Sequence, residues 1–257
     1  MDWKGNFPKE NVYFGTDKGI LYNAEAIETM SKFPERIFDA IITDPPYGTT
    51  ACKWDTVIPF EDMWRELKKI RKDRTPIVLF GNEPFSSYLR VSNIREYRYD
   101  WYWEKEQGSN FVTVKYMPFK VIENIVVFSR KKAFYYPQMR KGRPYRDKKR
   151  PRNLQQNVGK MVKKPINNKG VRYPKNKLYF QNDTKKGYSY HPTQKPLALL
   201  EYLVKTYTNE DDLVLDFTCG SGTTLLACER LNRRWVGIEI EERYCEISKE
   251  RILKELK

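Results

Sequence analysis

Histidine is almost missing from this 257-residue chain, His191 being the only one. Cysteine is scarce as well: Cys52, Cys219, Cys228 and Cys245 occur without a CxxC pair. Zinc sites usually draw their ligands in close pairs, so this pattern predicts reduced thiols and no bound metal. Long apolar runs are also lacking, and none approaches the roughly 20 residues of a membrane-spanning helix. The opening MDWKGNF has no apolar core of a secretory signal. These absences predict a soluble, cytoplasmic protein with no membrane partner, and there is no internal repeat.

What the chain has is positive charge. Its net charge is +15 with 14% aromatic residues, a combination that suits a polyanionic partner. The charge is not spread evenly. Residues 130–186 hold 20 Lys and Arg against two acids, Asp147 and Asp183, a net +18 that leaves the rest of the chain at −3. The window is studded with Tyr, Pro, Asn and Gln and lacks apolar periodicity. Alone, such a stretch reads as a solvated, disordered tail; internal and rich in aromatics, it reads as a nucleic-acid-facing lobe that orders on binding.

The rest is long enough for one sizeable core, most simply a single domain with a lobe inserted. Its organising stretch is Ile37–Gly48, IFDAIITDPPYG. Five of the six residues from Ile37 to Ile42 are apolar, which reads as a buried parallel strand stopped by a Pro-Pro turn. Pro45 and Pro46 donate nothing and fix φ, so neither sheet nor helix continues and the carbonyls of the turn lack regular partners. Asp44 thus stands at the carboxyl end of a strand beside Tyr47, the edge at which open α/β sheets bind ligands. A carboxylate and a prolyl carbonyl can each accept one amine hydrogen while a tyrosine face stacks on a flat ring. The competing reading is a plain strand end with Asp44 as a local cap.

A second strand, glycine loop and helix follow in DDLVLDFTCGSGTTLLACERL. Gly220 and Gly222 permit close backbone approach to a ligand at a helix N-terminus. Leu225 replaces the third glycine of a dinucleotide fingerprint, so no pyrophosphate is expected. Glu239 closes the next strand, where a carboxylate can accept both ribose hydroxyls; a structural glycine turn with a solvated Glu239 is the alternative.

The remaining pattern gives a strand and helix over Gly19–Met30 capped by Asn23, and a helix over Phe60–Ile70. Strands are predicted at Thr75–Phe80, Tyr97–Glu104 and Lys120–Ser129, with GNEPFSSYL after the first of them turning into a helix. The last two strands should pair antiparallel, since no helix separates them. HPTQKPLALLEYLVKTYT reads as a turn and helix with Leu199, Leu200, Leu203 and Tyr207 as core contacts, and the chain ends in an amphipathic helix.

TDPPYG resembles the catalytic motif of the amino methyltransferases that modify exocyclic nitrogens of DNA bases. DFTCGSGTT resembles their S-adenosylmethionine motif, and HPTQKP the segment that precedes it in the beta class, with the motifs in that class's order from about Gly19 to Arg251. The resemblance implies an α/β Rossmann-like methyltransferase sheet, circularly permuted. A catalytic half (1–129), an inserted basic target-recognition lobe (130–186) and a cofactor half (187–257) would compose it. It implies S-adenosylmethionine as cofactor, double-stranded DNA as partner, and methyl transfer to the 6-amino group of a flipped adenine. Members with Asp first in that motif mostly act on adenine, those with Ser on cytosine. Cytosine 4-amino transfer, an RNA or protein-amide substrate, or a non-catalytic DNA-binding protein retaining the fold are the alternatives. A homodimer and a restriction endonuclease partner are compatible with the class.

By position, Asp44, Pro45, Pro46 and Tyr47 would be catalytic. Asp216, Phe217, Thr218, Cys219, Gly220, Gly222, Thr223 and Thr224 would line the cofactor pocket, with Glu239 on the ribose and Thr193 and Lys195 at the methionine end. Glu25 matches the acidic residue that touches adenine in such enzymes, though a solvated first-turn glutamate fits as well. Trp54 reads equally as a DNA contact or as core, and Lys148, Lys149, Arg150 and Arg152 as phosphate contacts.

Overall fold

The computed structural model describes residues 3–49, 55–147, 166–183 and 194–256. Its contacts divide the chain into two units, Met1–Tyr136 with Asn176–Lys257, and Pro137–Lys175. In chain order the strands are β1 (Val12–Gly15), β2 (Gly19–Asn23), β3 (Ala40–Thr43), β4 (Ile77–Gly81), β5 (Tyr97–Glu104), β6 (Ile122–Phe128), β7 (Arg140–Lys141), β8 (Tyr145–Asp147), β9 (Ile166–Asn168), β10 (Val171–Arg172), β11 (Lys177–Tyr179), β12 (Leu213–Asp216) and β13 (Arg234–Glu239). The α-helices are α1 (Ala26–Ser31), α2 (Phe60–Ile70), α3 (Phe85–Ser92), α4 (Leu197–Tyr207), α5 (Thr223–Arg230) and α6 (Glu242–Glu255).

The first unit is built on one mixed sheet of order β1-β2-β13-β12-β3-β4-β6-β5-β11. From β2 to β4 neighbours run parallel; β6 is antiparallel to both β4 and β5, with Trp101 opposite Ile125. That pairing of β5 with β6 is the one the missing helix between them predicts. The parallel strands are buried throughout, AIIT in β3 and IVLFG in β4, as strands covered on both faces must be. Alternate residues serve opposite layers: Ile41, Leu79 and Leu215 share one core with residues of α1, α2 and α3, and Ile42, Val78 and Val214 share the other with α4, α5 and α6. Each such side chain contributes about 1.5–3 kcal/mol by leaving water.

Helix α2 spans the expected residues, with Met63, Trp64, Leu67 and Ile70 on its buried face. Strand β3 begins at Ala40, later than its apolar run. Phe38 makes only an isolated bridge to Arg71, and the Asp39 carboxylate accepts the Leu213 N–H (3.1 Å) and pairs with Lys72 (2.6 Å). The one polar residue of the run therefore ties the start of β3 to the start of β12. Asn23 does not cap α1, contrary to expectation. Its amide donates to the carbonyls of Glu239 and Ile240, both at 3.0 Å, and the Glu25 carboxylate caps the helix by accepting the Glu28 N–H at 2.6 Å.

In the second unit β7 pairs with β10 and β8 with β9, both antiparallel. The Asn168 side-chain oxygen Oδ1 closes its turn by accepting the Gly170 (2.8 Å) and Val171 (3.1 Å) N–H groups, and the Arg172 guanidinium lies 4.6 Å from the centre of the Tyr145 ring. None of the described residues in this unit is a buried hydrophobic. No helix among the described residues is long and apolar enough to cross a membrane.

Candidate active site

The chain runs outward from β12 in one direction through α5 to β13, and in the other from β3 through α2 to β4. The crevice between the carboxyl ends of β3 and β12 is thus a topological switch point, where open α/β sheets bind ligands. Hydroxyls stitch the two ends together. Thr43 Oγ1 donates to Asp216 Oδ1 at 2.5 Å and lies 2.8 Å from Thr218 Oγ1, and Thr218 Oγ1 donates to the Asp44 carbonyl at 3.1 Å. The proline turn and the glycine loop, 172 residues apart between Asp44 and Asp216, consequently form one cleft of about 870 Å³.

On the β3 side, Asp55 shapes the turn. Its carboxylate accepts the N–H groups of Tyr47 (2.8 Å), Gly48 (2.9 Å) and Thr49 (2.9 Å), the first three donors after the two prolines. Gly48 sits at φ +68°, where an added Cβ would come within 2.8 Å of Val57, so a larger residue there is strained twice over. The Tyr47 ring packs on Phe85 at 5.1 Å between centroids, and its hydroxyl donates to Asp44 Oδ1. Lys195 donates to Asp44 Oδ2 and stands 3.0 Å from Glu123 of β6, whose other oxygen is 3.4 Å from Lys105.

Burial raises the pKa of Asp44 above the usual carboxylate range, with Glu123 adding to it and Lys195 and Tyr47 pulling it back. Burial works against the Lys195 ammonium, yet the combined attraction of Asp44 and Glu123 holds its pKa above the ordinary lysine value. The Tyr47 hydroxyl is pushed well above its usual value, first by burial and then by Asp44. At neutral pH it is a donor.

On the β12 side, Gly222 caps α5 at φ +72°, and an added Cβ would meet Ser248 Oγ at 2.6 Å. Ser248 donates to the Gly220 carbonyl (2.9 Å), and Arg251 donates to the Ser221 carbonyl and to Thr223 Oγ1 (3.1 Å), so α6 holds the loop from behind. Gly220, at φ +53°, differs: a Cβ there would meet nothing within 4 Å. Glu239 is 8% exposed and not a solvated residue. Its oxygens accept the N–H groups of Gly220 (2.8 Å) and Glu241 (2.9 Å), and burial lifts its pKa despite them. Asp216, also buried, is raised to about 6 by burial against the hydroxyls of Thr224 and Thr43.

The family model for N6 and N4 DNA methylases matches residues 38–250. The chain belongs to this DNA methylase family. It is 30% identical over 251 residues to the Type II methyltransferase M.HpaI of Haemophilus parainfluenzae, covering 90% of this chain and 73% of that one. Against M2.DpnII of Streptococcus pneumoniae the identity is 25% over 275 residues, 93% of this chain and 91% of the relative. Among solved structures, the complex of M1.HpyAVI with SAM superposes with a TM-score of 0.61 at 26% identity, over 90% of this chain and 98% of that one. The cytosine-N4-specific PvuII DNA methyltransferase gives 0.67 at 18% identity, over 95% and 89%, which shows the shared fold alone.

In this methylase the cleft brings together Glu25, Asp44, Pro45, Pro46, Tyr47, Lys195, Asp216, Phe217, Thr218, Cys219, Gly220, Thr223, Thr224 and Glu239. Gly222 stands behind them, against Ser248. Lys195 lines the cleft with its ammonium on Asp44 and Glu123. Trp54, Thr193, Lys148, Lys149, Arg150 and Arg152 lie outside the described residues, as do His191 and Cys52. Sequence reasoning missed Asp55, Glu123 and Thr43. Thr43 adjoins the motif and was legible as its neighbour, whereas Asp55 and Glu123 carry no local signal, because only the folded turn and the β5–β6 pairing bring them to the site.

Proposed function

We propose that this methylase transfers a methyl group from S-adenosylmethionine to the exocyclic 6-amino group of adenine in double-stranded DNA, the base being flipped into the cleft. The observation that carries the reading is the junction of β3 and β12, which sets the Asp44 carboxylate beside the glycine loop in a single cleft. The residues present fit the cofactor. Gly220 leaves open the space a Cβ would fill, Glu239 ends β13 with lone pairs beyond its backbone contacts, and Asn182 Oδ1 is a buried acceptor on the cleft wall without a partner among the described residues. A cleft of about 870 Å³ is ample for a nucleoside cofactor with a base.

Bound there, the cofactor supplies an electrophilic methyl group on a positively charged sulfur that leaves as a neutral thioether. The chain supplies position and charge. An aromatic amine's lone pair is delocalised into its ring and is a poor nucleophile. Asp44 and the Pro45 carbonyl accept its two hydrogens, which localises the lone pair, holds the nitrogen in line with the methyl carbon and stabilises the positive charge that grows on it. Tyr47 stacks on the base. The extra proton on the methylated nitrogen is released through Asp44 to water.

Adenine is favoured by Asp44 at the first position of DPPY; the geometry of Asp44, Pro45 and Tyr47 serves either amine. Residues 130–186 would be the target-recognition lobe, with Lys148, Lys149, Arg150 and Arg152 on phosphates and Trp54 near the base, inserted between the halves of a circularly permuted fold. The similarity to Type II methyltransferases supports a place in restriction and modification. Incubating the purified chain with labelled S-adenosylmethionine and DNA from a methylation-free host, then separating nucleosides by mass spectrometry, tests the reading. N6-methyladenine is expected. Methyl groups solely on the cytosine 4-amino nitrogen would overturn the choice of base, and no transfer to DNA would overturn the whole.

A further inference from the structure

Both oxygens of Asp44 are already engaged, Oδ1 by the Tyr47 hydroxyl and Oδ2 by the Lys195 ammonium. The Lys195 nitrogen lies 5.8 Å from the centre of the Tyr47 ring and 5.2 Å from that of Phe80. A nitrogen donating to Asp44 among aromatic rings is what the target amine is asked to be, so Lys195 stands in its place. Protonated lysine has donors only. While it holds Oδ2, the amine meets a carboxylate whose charge is already answered, and the positive charge growing on the amine would face a second cation.

Removing Lys195 from Asp44 would leave a buried ammonium unpaired, a heavy penalty, unless another anion receives it. Glu123 is that anion. It is 3.0 Å from the same nitrogen and 3.4 Å from the Tyr47 hydroxyl, and its second oxygen is anchored by Lys105 at 3.4 Å. Lys195 and Glu123 are both more than nine-tenths buried at the side chain, so neither trades its partner for water.

We infer that Glu123 is a positioning residue that takes Lys195 over from Asp44 as the target amine enters, freeing the carboxylate for the amine without ever unpairing a buried charge. This rests on the methyl-transfer reading above. The four charges involved, Asp44, Glu123, Lys195 and Lys105, balance before and after the exchange, and the neutral amine enters without changing the count. Within this exchange Glu123 acts on Asp44 through Lys195, while Lys105 and the Tyr47 hydroxyl only anchor it.

That dependence gives the test, a double-mutant cycle with transfer to DNA from a methylation-free host measured at saturating cofactor and DNA. Glu123→Gln keeps the size and a hydrogen-bonding oxygen but cannot hold the ammonium as an anion does. It should lower kcat about 10- to 100-fold, the range of one charge-assisted hydrogen bond, with KM for DNA little changed. Lys195→Met removes the cation that competes with the amine and should lower kcat less than Glu123→Gln does, because Asp44 then faces the amine unopposed. In the Lys195→Met background, Glu123→Gln should change kcat by less than about twofold, the margin within which independent effects add. Should the single Glu123→Gln chain fail to fold, this second pair of variants still decides, since both lack the Lys195 ammonium, and the contact to Lys105 is lost alike in either background. An equal loss from Glu123→Gln in both backgrounds, or complete loss in Lys195→Met, overturns the exchange while leaving the methyl-transfer reading standing. Absence of transfer by the unaltered chain would instead remove the reading on which it rests.

Discussion

The cleft and the basic segment carry opposite charge. Among the described residues, seven carboxyl groups line the cleft (Glu25, Asp44, Asp55, Glu123, Asp216, Glu239 and Glu241) against two lysines, Lys105 and Lys195. Residues 130–186 carry 20 basic side chains against two acids. A phosphate backbone is attracted to the second and repelled by the first, so the parts of a nucleic acid that suit the cleft are its neutral bases. The same carboxylates favour a cationic methyl donor. A net charge of +15 thus averages two regions of opposite sign, and under the proposed function one would gather the polyanion while the other keeps it from the chemistry.

The sharpest way to break the comparison is to damage the cleft alone. Asp44→Ala should lower kcat by about 10²- to 10³-fold, the scale of losing one preorganised group that stabilises developing charge. DNA affinity should hardly change, because the basic segment is intact. Single-turnover transfer and equilibrium DNA binding measured side by side check this, and a variant that turned over near the original rate would remove Asp44 from the reaction.

The converse experiment leaves the cleft untouched. Replacing Lys148, Lys149, Arg150 and Arg152 by Gln should weaken binding to every DNA sequence and flatten the slope of log affinity against log salt by about 0.9 for each phosphate that is no longer neutralised. At saturating DNA, kcat should stay as it was. An unchanged salt slope would mean that these four side chains face solvent, and a weakening confined to one sequence would mark them as base readers.

Within the cleft, the two sides differ in how their carboxylates are held. Asp44 and Glu123 face lysines, whereas Glu239 is held by backbone N–H groups and Asp216 by threonine hydroxyls and the Thr218 N–H. Glu239→Ala should therefore weaken S-adenosylmethionine binding by about 1–3 kcal/mol, the scale of hydrogen bonds to a charged group. It should also loosen the loop, because Gly220 and Glu241 lose their acceptor. Calorimetry with the cofactor measures the first effect and thermal unfolding without it the second; equal cofactor affinity in a folded variant would confine Glu239 to the loop.

The two motifs were legible because each is local: a carboxylate before two prolines, and two glycines between a strand and a helix. Their meeting was less legible, since it depends on β3 and β12 being neighbours, and the spacing of the strands in sequence does not fix that order. Helix α2 was readable to the residue because its apolar face repeats at helical spacing. Asn23 was misread as a cap because a short amide before a helix looks alike whether it turns to its own backbone or to the neighbouring β13. Lys195 was read at the methionine end of the cofactor pocket, but its two carboxylate partners, Asp44 just after β3 and Glu123 of β6, were not legible in the sequence. Long charged side chains find partners by tertiary geometry, and a linear pattern carries little of it.

A last difference concerns stability and pH, and it separates the neutral-donor side of the cleft from the lysine side. Burial raises Asp216 from an ordinary aspartate value to about 6, with no cation beside it to reverse the shift. A carboxyl whose folded pKa lies above its unfolded one favours folding most fully at low pH, and that contribution is lost as pH rises through about 6. With a shift of roughly two units, the loss between about pH 4 and pH 7 is of order 3 kcal/mol. Asp216→Asn keeps an oxygen to accept from Thr43 and from the Thr218 N–H but has no proton to lose. Relative to the unaltered chain, the variant should gain stability as pH rises from 4.5 to 7.5. Other shifted carboxyls, including Glu83 held low at about 2, are common to both chains and cancel in the difference. Denaturant unfolding of both chains without cofactor at the two pH values gives that difference directly. Parallel pH dependences would show that Asp216 ionises as freely folded as unfolded. If the ionised carboxylate is kept because the methyl donor is a cation, the same substitution should weaken S-adenosylmethionine binding at pH 7.5 and have progressively less effect toward pH 4.5, where Asp216 is already protonated.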